Sequence, residues 1–209
     1  MHFRCLLLLA LSLISAGAQV PEEQTAIRLL QKFVETADPA LLDQVQSTLE
    51  SAPAAAQKTN RLKYLRARLE FARGNFEKSL SMAKALNRDV PDELDPYGLI
   101  VDSARALGKS GEAEKAAQWM LNLRPEDFRG LQKAAALRED LEDYQGAEEF
   151  LMDAYKRVPR SEPGQRASIL AQLARVYIKN KRPADARRLI DESLKLIPGY
   201  HPSIILTAN

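Results

Sequence analysis

The chain has 209 residues, 45% of them hydrophobic and 28% charged, with 30 basic side chains against 28 acidic ones. A net charge of +2 gives no bulk attraction to nucleic acid or to an anionic membrane surface. A single cysteine excludes an intramolecular disulfide framework, and the abundance of Ala, Leu, Glu, Arg and Lys favours helix throughout.

Met1-His2-Phe3-Arg4 is a short positive start, Cys5 to Ala16 is an apolar run, and Ala16-Gly17-Ala18 supplies small residues ahead of Gln19. This is the layout of a secretory signal peptide, residues 1–18, whose apolar part is too short to span a bilayer. Cleavage near Gln19 would remove the only cysteine, and the sequence contains no Asn-x-Ser/Thr sequon. These features predict an exported bacterial protein, periplasmic or extracellular, with no integral membrane segment after cleavage.

Residues 19–59 read as a degenerate leading unit. Ala26, Ile27, Leu30, Phe33 and Val34 mark one helix, and Asp38-Pro39 opens a second that carries Leu41, Leu42, Val45 and Leu49. That helix is expected to end near Pro53, with 54–60 as an elongated connector.

A strict period follows. Pro91, Pro125 and Pro159 stand 34 residues apart, and Pro198 comes 39 after the last of them. Twelve residues before each lies a small residue: Ser79, Ala113, Ala147 and Ala186. Twenty-four before lie Ala67, Val101, Ala135 and Ala174. A period of this size signals stacked copies of one supersecondary unit. Each copy reads as two helices, with Gly74-Asn75, Gly108-Lys109, Glu142-Asp143 and Asn180-Lys181-Arg182 at the turns. Phe76 and Tyr144 sit two residues beyond the turn in two copies. The units are 60–93, 94–127, 128–165 and 166–198, with Ser161 to Gln165 as a surface loop that accounts for the longer spacing. Residues 199–209 predict a short cap of two turns or fewer, beginning near Pro202 and covering the last unit only in part.

A helix pair of 34 residues, with small residues where the helices cross and a proline closing the second, resembles the tetratricopeptide repeat. The matching positions run Tyr97, Ile100, Val101, Gly108, Ala113, Ala117 and Pro125 in one copy. In another they run Leu170, Leu173, Ala174, Tyr177, Ala186, Ile190 and Pro198. The large-residue slot of the first helix departs from the family in three copies (Glu70, Ala104 and Arg138), and Trp119 lies in a second helix. The resemblance implies an all-α, right-handed superhelical solenoid of antiparallel helix pairs, with first helices lining a concave groove. It also implies a non-catalytic scaffold that binds a protein or peptide there. Carried over by position, the lining would be Arg61, Tyr64, Arg68, Asp95, Asp102, Arg129, Gln132, Ser168 and Arg175. The lysine-asparagine carboxylate clamp of some family members is missing; Tyr64, Arg68, Leu99, Arg129 and Lys133 stand in those positions.

No nucleophile, metal-ligand set or nucleotide-binding motif offers an alternative, and no cofactor, metal or nucleic acid is expected. The mature chain keeps one histidine, His201. Glu139 to Glu149 form an acidic patch, and Arg166 to Lys195 a basic one. The readings left beside the scaffold are an accessory subunit of an envelope-polymer enzyme, and a structural module stacking end-to-end with another chain.

Overall fold

The computed structural model describes residues 20–208, all in helices and their connections. The segment read as a signal peptide lies outside the described residues. Helices α1 (Pro21–Thr36) and α2 (Ala40–Ser51) form the leading pair, followed by a single turn, α3 (Ala54–Gln57). Four pairs come next: α4 (Asn60–Ala72) with α5 (Phe76–Asp89), and α6 (Leu94–Ala106) with α7 (Ser110–Leu123). Then come α8 (Phe128–Asp140) with α9 (Tyr144–Arg157), and α10 (Pro163–Lys179) with α11 (Pro183–Leu196). A short α12 (His201–Ile204) and a 3₁₀ turn (Ile205–Ala208) close the described chain.

The period is a packing period. Ser79, Ala113, Ala147 and Ala186 are at most 1% exposed, as are Ala67, Val101, Ala135 and Ala174. Paired helices can approach closely only where side chains are this small. Each repeat proline stands two residues beyond the end of a second helix, where its ring cannot continue the helical ladder.

Every first helix of the four pairs ends in the same way. The amide of Asn75 donates to the carbonyl of Glu70, Lys109 to Ala104, Asp143 to Arg138 and Arg182 to Tyr177, at 2.8–2.9 Å. The residue before each donor is left-handed: Gly74 at φ 80°, Gly108 at 68°, Glu142 at 58° and Lys181 at 57°. This 6→1 closure satisfies carbonyls that a helix end otherwise leaves unpaired.

Two boundaries differ from the sequence reading. Pro163, Gly164 and Gln165 are not loop: proline suits a first helical turn, so the extra residues lengthen α10 to 17. The connector after Pro53 folds as α3, because Ala54 to Ala56 are strong helix formers and the Gln57 side-chain amide donates to the carbonyls of Leu49 (2.9 Å) and Ala52 (2.7 Å).

The C-terminal cap is short and covers the last pair only in part. Tyr200 is 3% exposed against Ala167 and Ala171, and Leu206 packs beside it, whereas Ile204 and Ile205 are 44% and 51% exposed. Ser203 donates to Ser193, which donates to the Ala167 carbonyl, a buried relay that pins the cap to α10 and α11. One contact was not foreseen: α12 also packs against α1, so the two ends of the described chain meet.

Candidate binding groove

Successive first helices α1, α4, α6 and α8 touch one another as well as the intervening second helices, so they form the inner layer of the curve. Their polar faces carry most of the residues expected to line the groove.

Ion pairs bridge neighbouring inner helices. Arg61 on α4 donates to Glu23 on α1 at 2.7 Å, and Arg129 on α8 reaches Asp95 on α6 at 2.7 Å. Arg129 also donates to Asp127 through Nε and Nη2, and these bonds with the surrounding carboxylates push its guanidinium pKa up. Lys133 on α8 holds both oxygens of Asp102 on α6, at 2.7 and 2.6 Å. Arg175 on α10 grips Glu139 on α8 with two bonds of 2.8 and 2.7 Å, and Lys179 adds a contact of 2.9 Å. Burial opposes ionisation of Glu139, but the bonds from Arg175 and Lys179 prevail and hold its carboxyl below the usual range.

The acidic and basic patches of the last two units therefore meet through Glu139 with Arg175 and Lys179, and through Glu148 with Arg182 (2.8 Å). Arg61, Arg129 and Arg175 thus have a structural task, each tying its repeat to the previous one.

Tyr64 and Arg68 differ. The Arg68 guanidinium lies 5.9 Å from the Tyr64 ring centroid and makes no ion pair among the described residues. Burial pushes the Tyr64 phenol up to about 12, and its charged surroundings are Arg68, Asp95, Asp102 and Arg129. The structure thus gathers Tyr64, Arg68, Asp95, Asp102 and Arg129 in the middle of the groove. Gln132 is half-buried on α8, and Ser168 stands apart near the cap, accepting from Gln172 at 3.2 Å.

Sequence pattern did not single out Glu23, or the Arg105–Asp140 pair at 2.6 and 2.8 Å. The signal was present: opposite charges recur about one repeat apart, as in Asp95 and Arg129, 34 residues apart. His201 is half-buried at the start of α12, and the described residues contain no cluster of metal-ligating side chains. No helix among the described residues is long and apolar enough to cross a membrane.

An inner layer of first helices, tied by ion pairs on one face and backed by apolar helix crossings, defines an all-α helical-repeat superhelix. The fold is that of tetratricopeptide-repeat (TPR) proteins. TTC0263, a thermophilic TPR protein of Thermus thermophilus, is similar with a TM-score of 0.72 at 19% identity, over 89% of this chain and 97% of that one. PilF of Pseudomonas aeruginosa is similar with a TM-score of 0.61 at 17% identity, over 71% of this chain and 66% of that one. YrrB, a TPR protein with an unusual peptide-binding site, has a TM-score of 0.52 at 12% identity, over 92% and 93% of the two chains. No protein-family model and no curated protein matches the chain.

Proposed function

We propose that the protein is a non-catalytic, exported scaffold that binds a protein or peptide in the concave groove, centred on Tyr64 and Arg68. The observation that carries this reading is Arg68. In a groove where Arg61, Arg129, Lys133 and Arg175 are each matched to a carboxylate, Arg68 meets an aromatic face and no carboxylate among the described residues. A guanidinium so placed offers its donors to an acidic or carboxylate group of a partner. The charged side chains around it form fixed, mutually satisfied pairs, which suits recognition by shape and hydrogen bonding more than chemistry.

The test is site-specific photo-crosslinking in intact cells. A crosslinker at Tyr64 is expected to trap a discrete partner that one at Trp119, 55% exposed on the second helix α7, does not, and Arg68→Ala is expected to reduce the adduct. Equal adducts from both positions would overturn the groove reading. Export is tested separately: the N-terminal sequence of the secreted or periplasmic protein is expected to begin at or near Gln19, and material beginning at Met1 would refute it.

A second reading, end-to-end association with another chain, draws on Ile204 and Ile205, both half-exposed at the C-terminal end of the stack.

A further inference from the structure

The residue two positions beyond the left-handed turn opens each second helix, and its identity decides how the turn edge of the stack is filled. In the first full repeat it is Phe76, whose ring packs at 5.3 Å from Phe71. In the third it is Tyr144, packed against the apolar core of the last two repeats. In the second repeat, 34 residues from either, it is Ser110. A half-open cleft of about 480 Å³ lies there, with Ser110 and Gly108 on its lining. Apolar walls come from Phe71 of the preceding repeat and from Leu137 and Leu141 of the following one. Leu141 is 65% exposed, more than any other large apolar side chain among the described residues.

The polar part of the cleft is acidic. Of its charged lining residues, Asp102, Glu114 and Asp140 are acidic and Arg105 is basic. Arg105 is bound to Asp140 in a two-pronged pair, and Asp102 is bound by Lys133 from α8. Glu114 makes no ion pair among the described residues, which leaves one carboxylate in excess at the rim.

We infer that this cleft receives one aromatic side chain of a linear protein segment, with a lysine or arginine adjacent to it in that segment. The aromatic residue takes the place that Phe76 and Tyr144 fill from within their own repeats, against Phe71, Leu137 and Leu141. The neighbouring cation meets Glu114 and the outer edge of the Arg105–Asp140 pair. This docking point is distinct from the groove centre at Tyr64 and Arg68, and only Asp102 borders both.

The experiment titrates the folded, isotope-labelled protein with three capped dipeptide amides, acetyl-Phe-Arg, acetyl-Ala-Arg and acetyl-Phe-Glu, followed by amide chemical shifts. Saturable shifts are expected at Gly108, Ser110 and Leu141, with acetyl-Phe-Arg binding about tenfold more tightly than acetyl-Ala-Arg from burial of the ring. Acetyl-Phe-Glu is expected to bind more weakly than acetyl-Phe-Arg. Ser110→Phe supplies the missing ring from within, so it is expected to abolish the shifts while raising the melting temperature. Leu141→Asp, at an exposed position, provides a second variant that weakens binding without disturbing the fold. Arg68→Ala is expected to leave the dipeptide shifts intact, which separates this inference from the groove reading. Equal affinity for the phenylalanine and alanine probes, or undiminished binding by folded Ser110→Phe or Leu141→Asp, would overturn it.

Discussion

Arg175 holds Glu139 through two parallel hydrogen bonds of 2.8 and 2.7 Å, although the Glu139 side chain is only 4% exposed and that of Arg175 is 43% exposed. The pair is asymmetric, so its two halves respond differently to mutation. Arg175→Ala leaves a buried carboxylate with Lys179 alone and is expected to cost about 2 kcal/mol. Glu139→Gln leaves two cations that water can reach and is expected to cost less. Chemical denaturation of both variants checks the order; a larger loss for Glu139→Gln would refute it.

The same carboxyl gives a pH signature. Its pKa is depressed in the folded state below the reference value of 4.5. The stability it contributes is therefore fully present above that value and is lost as pH falls through the folded-state pKa. Wild type is expected to lose more stability than Glu139→Gln between neutral pH and the region below about 4.5. Parallel acid-unfolding curves for the two proteins would remove Glu139 from the account.

Four equivalent turn positions form a natural experiment on backbone strain. Glu142 and Lys181 hold φ values of 58° and 57°, where Gly74 and Gly108 hold 80° and 68°. A Cβ added at Gly74 or Gly108 meets nothing within 4 Å beyond its own chain neighbours, so substitution there probes conformation alone. Gly74→Ala and Gly108→Ala are each expected to destabilise by about 1 kcal/mol, and Glu142→Gly and Lys181→Gly to stabilise by up to about 1 kcal/mol. Melting temperatures moving in the same direction for both sets would contradict this.

Ala147 is 0% and Ala186 1% exposed at helix crossings. Ala147→Arg and Ala186→Arg are each expected to cost about 3 kcal/mol or more, since overpacking and charge burial act together. Unchanged melting temperatures would overturn the repeat register itself.

Tyr64 gives an alkaline counterpart, its phenol raised by burial from 10.0 to about 12. A raised pKa contributes stability that is intact below the unfolded value and is lost as pH climbs from about 10 toward 12. Tyr64→Phe is expected to flatten the loss of stability across that interval. Loss identical to wild type would show that the phenol ionises freely.

The helix pairs were legible because their cause is local and repeated. Small residues at fixed offsets and a proline after each second helix constrain neighbouring helices whatever happens elsewhere. The inner ion pairs were not legible in the same way. Asp95 and Arg129 meet only because stacking sets α6 and α8 side by side, and nothing in either helix alone announces the partner. Pro163 to Gln165 read as loop in the sequence for a related reason: turn-forming composition and a proline at the first helical turn look alike in the absence of the helix behind them. Glu23 carries no sequence signal, because a glutamate in a first turn reads as ordinary helix chemistry, whereas its pairing depends on Arg61 arriving from the next unit.

In an open stack, the outermost units have one neighbour instead of two, so they unravel first and the array melts inward from its tips. The packing of α12 on α1 as well as on α10 and α11 links the two tips through one short helix. Opening of either tip then also disturbs the helix that the other tip packs against. The chain's amides are expected to exchange through a single whole-molecule opening, with the leading and trailing pairs as well protected as α6 and α7 between them.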